Sequence, residues 1–502
     1  VLRSNEVGAT LGKDALSTTL KAGAIGMAVI AVIMIGLYLL PGFISVLALI
    51  AYVVLMLLCL NGFNASLTLP GLAGIVLSVG MAVDANVIIF TRIKEELGAG
   101  ASVKSAIDAG FNKALSAILD GNITTLIAAF VLYIMGSGSI KGFALTLGIG
   151  IVLSVFTALI ITKQLLKAAY TLGLQSPKLY GAKKEAKVHN YVKFSRFAYL
   201  ISFVAIAAGL IALPVFKGKT GSTLNYSLEF TGGTSMTVNF EERYDLAKAE
   251  SDILPVIAKA AGISEADIQV QNVKNSNEIV FKSAELSNDQ RDAVQTALED
   301  NFKVKEFNME NISSTISTEM QRNAIISVLI ATALMLIYIA IRFSDVKFGA
   351  AAVIALLHDV LVVFAVYSIG RLSVGNTFIA CMLTIVGYSI NATIIIFDRI
   401  RENMVSMSKE SYATIVNTSI SQTLTRTIYT SLTTFVMVFF IYIMGVPSIK
   451  EFALTLMCGI VCGAYSSVCI TGPLWYMFKT GFGKNDKNTT SKKISKKQTK
   501  KA

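Results

Sequence analysis

The chain of 502 residues is 54% hydrophobic and only 15% charged, with a mean hydropathy of +0.64. Soluble domains carry roughly 25% charged residues, so this composition excludes an ordinary soluble fold and places long apolar runs in lipid. The net charge of +12 does not imply nucleic acid, because the Lys and Arg sit in short segments flanking apolar runs, as in the positive-inside pattern.

Eleven apolar runs of about 18–22 residues are each long enough to cross a bilayer of about 30 Å. They fall near 19–40, 43–60, 72–90, 115–135, 143–162, 197–216, 324–341, 348–369, 377–397, 428–445 and 452–475. Pro41 and Gly42 predict a tight turn between the first two. Five spans make a bundle over 1–170, followed by a basic linker at 171–196 and a single span at 197–216. A polar segment covers 217–323, five more spans make a second bundle over 324–478, and a Lys-rich tail occupies 479–502. The first residue is Val1, without an initiator Met or a signal peptide, which predicts that an N-terminal segment is missing.

Charge sets the expected orientation. Segment 163–196 carries Lys163, Lys167, Lys178, Lys183, Lys184, Lys187, Lys193 and Arg196 against Glu185, and the tail from Lys479 carries nine Lys against Asp486. Both are expected on the cytoplasmic side, with a cytoplasmic C-terminus. Segment 217–323, one span away, is then extracytoplasmic, and it holds 11 basic against 17 acidic residues. Its pattern predicts strands at Ser227–Phe230, Thr234–Phe240, Asp267–Val273, Glu278–Ser283 and Lys303–Ile312, with helices at Leu246–Ala261 and Asn288–Asn301. The order β-α-β-β-α-β is that of a ferredoxin-like α+β domain. It contains no His and no Cys, and shows no catalytic constellation.

The two halves are related. Tyr133-Ile-Met-Gly-Ser-Gly-Ser-Ile-Lys-Gly-Phe-Ala-Leu-Thr-Leu147 matches Tyr442-Ile-Met-Gly-Val-Pro-Ser-Ile-Lys-Glu-Phe-Ala-Leu-Thr-Leu456 at twelve of fifteen positions. Val79-Gly-Met-Ala-Val-Asp84 aligns with Val386-Gly-Tyr-Ser-Ile-Asn391, and Ile88-Ile-Phe-Thr-Arg-Ile93 with Ile395-Ile-Phe-Asp-Arg-Ile400. The fold class is therefore an all-α membrane bundle of two parallel repeats, with about eleven spans and one α+β domain.

Asp84 lies about 9 Å inside its span at 1.5 Å per residue. A carboxylate there costs several kcal/mol unless it is paired, hydrated or protonated. It reads as a proton or cation carrier, against a carboxylate locked in a permanent ion pair. Gly80, on the same face, lets a neighbouring helix approach. Asp120 stands at the start of the span 115–135, as a helix cap or as a group that guides ions. His358 and Asp359 sit mid-span, as a relay or as polar groups satisfied within the bundle. Arg426 precedes the span 428–445, and either reaches for headgroups or pairs with Asp84 across the repeat. Thr124, Thr125, Thr433 and Thr434 bond their own helix carbonyls or line a polar path. The cysteines Cys59, Cys381, Cys458, Cys462 and Cys469 all lie in apolar runs. They read as small buried hydrophobes, although Cys458 and Cys462 share a helix face. No metal or cofactor is expected.

Gly80-Met-Ala-Val-Asp-Ala-Asn86, Ile89-Phe-Thr-Arg-Ile-Lys-Glu95 and Asp120-Gly-Asn-Ile-Thr-Thr125 resemble SecD. Glu229-Phe-Thr-Gly-Gly-Thr234, His358-Asp359, Gly387-Tyr-Ser-Ile-Asn391 and Phe397-Asp-Arg-Ile-Arg-Glu-Asn403 resemble SecF. The chain thus looks like a SecD–SecF fusion of the RND superfamily, with residues 1–170 SecD-like and 197–216 and 324–478 SecF-like. The resemblance implies an accessory of the Sec translocase that sits beside the SecYEG channel. Acting after the SecA motor, it uses the proton gradient to help draw unfolded preproteins outward. It also implies a YajC-type small membrane subunit as a partner, residence in the cytoplasmic membrane, and no nucleic acid. Asp84 matches the family's proton-carrying carboxylate, and Arg426 the arginine that partners it. Asn391 stands at the corresponding place in the second half, and Asp120, His358 and Asp359 are candidate relay groups. Many SecF proteins have Asn-Asp-Thr where this chain has Asn391-Ala392-Thr393, so the coupling ion is either H⁺ or Na⁺.

Two other functions share the helix count: an RND-type exporter of lipids or small hydrophobic molecules, and a scaffold without ion coupling. No G-x-x-x-x-G-K-[ST] motif occurs, so the energy comes from a gradient or a partner, and the chain is not expected to be an enzyme.

Overall fold

Each apolar run satisfies its backbone polar groups internally as a helix, which is how an open chain crosses hydrocarbon. The computed structural model describes residues 3–6, 9–136, 138–181, 187–272, 277–343, 345–481 and 486. Lys183, Lys184, Glu185 and Val273, and all of the Lys-rich tail beyond Gly481 except Asp486, lie outside the described residues. Among the described residues, eleven helical segments are long and apolar enough to span a membrane, the number expected from hydropathy.

A strand, β1 (Arg3–Glu6), precedes α1 (Ala9–Tyr38), α2 (Leu40–Gly62), α3 (Leu69–Gly98) and α4 (Val103–Met135). Helix α5 (Ser139–Phe156) runs through a π-turn at Thr157–Ile161 into α6 (Thr162–Thr171), then come α7 (Pro177–Tyr180) and α8 (Tyr191–Thr220). The polar segment forms β2 (Asn225–Tyr226), α9 (Leu228–Thr231), β3 (Gly233–Phe240), α10 (Leu246–Lys248), α11 (Leu254–Ala261), β4 (Gln269–Asn272), β5 (Glu278–Ser283), α12 (Asn288–Asn301) and β6 (Val304–Ile312). The second half continues with α13 (Ser314–Arg342), α14 (Val346–Gly370), β7 (Ser373–Val374), α15 (Asn376–Ser406) and α16 (Tyr412–Met444). Helix α17 (Pro447–Ser466) passes a π-turn at Ser467–Thr471 into α18 (Gly472–Thr480).

The chain packs as two units. The smaller comprises Val1–Ser17, Asn225–Ile326 and Ser373–Asn376, and the larger holds the rest. In the smaller, β1-β6-β3-β5-β4 form one sheet with every neighbouring pair antiparallel. From β3 to β6 the order is β-α-β-β-α-β, with strands arranged β6-β3-β5-β4, as in a ferredoxin-like unit. Met236, Val238 and Phe240 alternate inward from β3 onto Phe281, Ile257, Val294 and Leu298.

Three local expectations change. The strand expected at Ser227–Phe230 is instead the helical turn α9, because Gly232 and Gly233 follow with φ of 71° and 110° and redirect the chain into β3. The helix expected over Leu246–Ala261 is divided by a π-turn at Ala249–Ile253, just before Pro255, whose ring removes a backbone donor. Pro41 lies in the first turn of α2, and the reversal is made at Leu39, with φ 55°.

A capping box starts α12: the Gln290 backbone N–H donates to Ser287 Oγ at 3.3 Å and the Ser287 N–H donates to Gln290 Oε1 at 2.9 Å. Ser287→Ala is expected to cost about 1 kcal/mol of local helix stability. Amide hydrogen exchange in the intact protein checks this: faster exchange confined to the first turns of α12 is the expected result.

In the larger unit α3 and α15 are the enclosed pair, with 94% and 78% of their apolar stretches buried. They are the repeat-related helices that carry Asp84 and Asn391.

Candidate ion-coupling site

The two halves meet at two matching crossings. A Cβ on Gly80 of α3 would lie 3.0 Å from Thr434 Cα of α16, and a Cβ on Gly387 of α15 would lie 3.0 Å from Thr125 Cα of α4. These glycines occupy equivalent repeat positions, so the same absence of a side chain serves both contacts. The threonines largely bond their own helices: Thr125 to Gly121 O, Thr433 to Thr430 O, and Thr434 to Thr430 O. Thr124 Oγ1 also reaches Gly387 O at 3.1 Å, across the crossing.

Asp84 lies one turn beyond Gly80 and is 6% exposed. Its Oδ2 accepts from Asn391 Nδ2 at 2.8 Å, so the two repeat-equivalent residues touch directly. Arg426 of α16, 4% exposed, acts on Asp84 through space. Among the described residues, Asp84 Oδ1, Asn391 Oδ1, Arg426 Nε and Arg426 Nη2 are buried without a hydrogen-bond partner. Most buried polar atoms in folded proteins have partners. Here an acid, an amide and a base gather at one helix crossing with bonding capacity to spare. Arg426 therefore does not reach for headgroups, and it faces Asp84 as a separated counter-charge rather than as a hydrogen-bonded pair.

The register that pairs Tyr133 with Tyr442 pairs Ala117 with Arg426, Asp120 with Tyr429 and Gly121 with Thr430. The site is thus asymmetric at Asp84, Asp120 and Arg426. Asp120 does not cap a helix: α4 begins at Val103, where Ser102 accepts from Ser105 N. The mixed Lys104, Asp108 and Lys113 stretch hid this extension from a hydropathy reading. Asp120 Oδ1 instead accepts from Tyr338 Oη at 2.7 Å, and its Oδ2 accepts from Arg342 Nε at 2.5 Å. Arg342 Nη2 also donates to both oxygens of Asp398, at 2.9 and 2.8 Å.

An open cavity of about 840 Å³, lined by Arg92, Lys113, Asp120, Arg342 and Asp398 among others, ends on Arg426. Beside it, Arg92 pairs with Glu95 at 2.9 Å and Arg399 with Glu402 at 2.8 Å. Cross-pairs Arg92–Glu402 at 3.5 Å and Arg399–Glu95 at 3.9 Å close a four-residue ring of repeat-equivalent charges.

His358 and Asp359 belong elsewhere in the second half. Asp359, fully buried, takes His358 Nδ1 at 2.9 Å and Cys462 Sγ at 3.3 Å on Oδ1, and Ser389 Oγ at 2.5 Å and Ser466 Oγ at 2.8 Å on Oδ2. His358 Nε2 meets Ser202 Oγ at 2.8 Å. This cluster has its polar atoms bonded to one another and to Ser202. It touches the Asp84 site only through α15, where Ser389 and Asn391 stand two residues apart. The five cysteines are unpaired thiols.

Sequence reasoning missed Arg342 and Asp398. Arg342 reads as an ordinary charged residue ending a span. Asp398 had one signal: in the matched block Ile88–Ile93 against Ile395–Ile400 it replaces Thr91.

Comparison with known proteins places these features in context. Residues 1–171 and 293–481 match the family model described as protein export membrane protein SecD/SecF, C-terminal, and residues 220–242 match the SecD/SecF GG motif. Protein translocase subunit SecDF of Bacillus subtilis is 36% identical over 499 residues, covering 95% of this chain and 66% of the relative. SecDF of Thermus thermophilus is 36% identical over 479 residues, covering 94% and 63%. A crystal structure of Thermus SecDF, described as a translocon-associated membrane protein, superposes with a TM-score of 0.87 at 34% identity, over 96% of this chain and 64% of that one. A SecDF crystal structure in a super-membrane-facing form gives 0.72 at 33% identity. The chain therefore spans just under two thirds of the length of the relatives it matches.

Proposed function

Because this chain belongs to the SecD/SecF protein-export membrane protein family, we propose that it is a multi-pass accessory of the Sec translocase that spends an ion gradient to promote polypeptide export. The observation that carries the coupling is the buried, incompletely bonded set of Asp84, Asn391 and Arg426 at the crossing of the two halves. A scaffold gains nothing from such a set, and the family match favours protein export over export of lipids or drugs.

Helices α3, α4 and α5–α6 traverse in alternation, so the end of α3, where the charged cavity opens, faces the same side as the basic linker after α6. Positive-inside bias makes that side, and the C-terminus, cytoplasmic. A proton or sodium ion reaching Asp84 neutralises it and weakens its attraction for Arg426, and release into the cavity restores it. One proton moved through 100 mV supplies about 2.3 kcal/mol, enough to bias a two-state equilibrium about fifty-fold. The α+β domain, extracytoplasmic by the charge pattern of the sequence, passes that bias to the emerging chain. SecYEG, SecA acting upstream, a YajC-type subunit and unfolded preproteins are the partners that fit this role.

The test uses membrane vesicles carrying the full-length protein with the Sec machinery, and imposes proton and sodium gradients separately. Export stimulated by one of the two gradients, and only when the protein is present, is expected. Equal export with neither gradient imposed overturns the reading.

A further inference from the structure

We propose that Asp120 and Asp398, clasped by Arg342, form a second cation-responsive site, separate from Asp84, that locks the two halves together near the cytoplasmic mouth. This inference rests on the coupling reading above.

The geometry is that of a shared counter-ion. Arg342, the last residue of α13, sends Nε to Asp120 on α4 of the first half and Nη2 to both oxygens of Asp398 on α15 of the second. Forked guanidinium–carboxylate contacts are the strong form of ion pair. All three side chains are largely enclosed, at 19%, 14% and 21% exposure. Tyr338, one turn before Arg342, donates to the remaining oxygen of Asp120 at 2.7 Å. Arg92 and Arg399 also stand between Glu95 and Glu402, but their contacts across the halves are 3.5 and 3.9 Å, against 2.5 Å for Arg342 to Asp120.

The charges are unequal in number. Two carboxylates face one enclosed cation, and Arg401, 3.6 Å from Asp398, is 44% exposed. Arg92 from α3, Lys113 from α4, Glu402 from α15 and Arg426 from α16 line the same cavity. Arg342 and Asp398 both belong to the second half, so the contact of Arg342 with Asp120 is the one that joins the halves. A proton or small cation arriving there competes with Arg342 for Asp120 and leaves Arg342 held by Asp398 alone. That opens the clasp, and departure of the ion closes it.

Repeat symmetry explains why the position is available. Tyr38 of the first half lies 3.1 Å from Thr91, the repeat equivalent of Asp398, and its ring meets Tyr429, the repeat equivalent of Asp120, at 6.3 Å. One arm of the pseudo-twofold carries hydroxyls and the other carries charges. Asp398 is the carboxylate that the second half adds where the first half has Thr91.

The experiment measures gradient-driven export against pH in vesicles carrying the full-length protein. Arg342→Gln leaves two facing carboxylates without their cation and is expected to lower gradient-driven export roughly tenfold or more. Adding Asp398→Asn to Arg342→Gln removes the excess charge and is expected to restore part of the loss. Arg342→Lys, which keeps the charge but not the fork, is expected to retain activity with a displaced pH profile. A purely structural role predicts neither the second-site rescue nor the displacement. Unchanged export and pH profile in Arg342→Gln, or a loss that Asp398→Asn does not relieve, overturns the clasp. Unmodified protein and Asp84→Asn run alongside. A gradient response that Asp84→Asn abolishes but Arg342→Gln leaves intact overturns the clasp alone, and no gradient response in the unmodified protein overturns both readings.

Discussion

Asp84→Asn is expected to abolish the gradient-dependent component of export while leaving the protein folded and in the membrane. The amide has nearly the volume of the acid and can still face Asn391, so the α3–α15 contact at 2.8 Å keeps its shape. What disappears is the acid at the crossing that faces Arg426. With a permanently neutral side chain, no ion movement alters the attraction between α3 and α16, and the bias of up to about fifty-fold available from 100 mV is lost. The measurement is the ratio of export with and without an imposed gradient. A ratio in Asp84→Asn equal to that of the unmodified protein refutes the assignment. Asp84→Glu is informative beside it: a retained acid displaced by one methylene should keep a reduced response.

Gly80→Leu is expected to damage the contact between the halves severely. Its Cβ alone would sit 3.0 Å from the Thr434 backbone and 3.4 Å from Met437 Cγ, and backbone does not step aside as a flexible side chain does. Overpacking of this kind costs typically 1–3 kcal/mol, and the further atoms of leucine place the effect at the upper end. Gly387→Leu meets Thr125 Cα at the same 3.0 Å and should behave alike, as repeat symmetry requires. Gly36→Leu is the control, because nothing lies within 4 Å of a Cβ there, and its unfolding midpoint in detergent should stay near that of the parent. If Gly80→Leu unfolds with the Gly36→Leu control, the close crossing is not the source of stability.

Helix number, the repeat and the correspondence of Asp84 with Asn391 were legible because they follow from one-dimensional signals: run length, internal identity, and a charge where hydrocarbon forbids one; the hydrogen bond between the two was not. Arg426 was legible only through the matched halves and the family motif. What escaped depends on the crossing angles of helices distant in sequence. Arg342 closes the last turn of α13, where a basic residue is unremarkable, and nothing local says that it holds acids 222 and 56 residues away. Asp120 was read as a helix start because apolar density begins there, although the helix had begun at Val103 among charged residues. The strand β1, Arg-Ser-Asn-Glu, has no alternation to read, and it is a strand by virtue of its register against β6. Glu229-Phe-Thr-Gly-Gly resembled a strand until the left-handed glycines turned it.

The unequal distribution of charge between otherwise matching halves has a consequence for stoichiometry. A pair built from two first halves would carry Asp84 and Asp120 twice, with Ala117 in both places where Arg426 belongs and Thr91 in both places where Asp398 belongs. A pair built from two second halves would carry Arg426 twice, opposite Asn391. Neither homodimer has an acid and a base facing each other at the central crossing. With these residues divided between them, the two halves are not interchangeable. Joining both halves in one polypeptide guarantees the one-to-one ratio that the division demands.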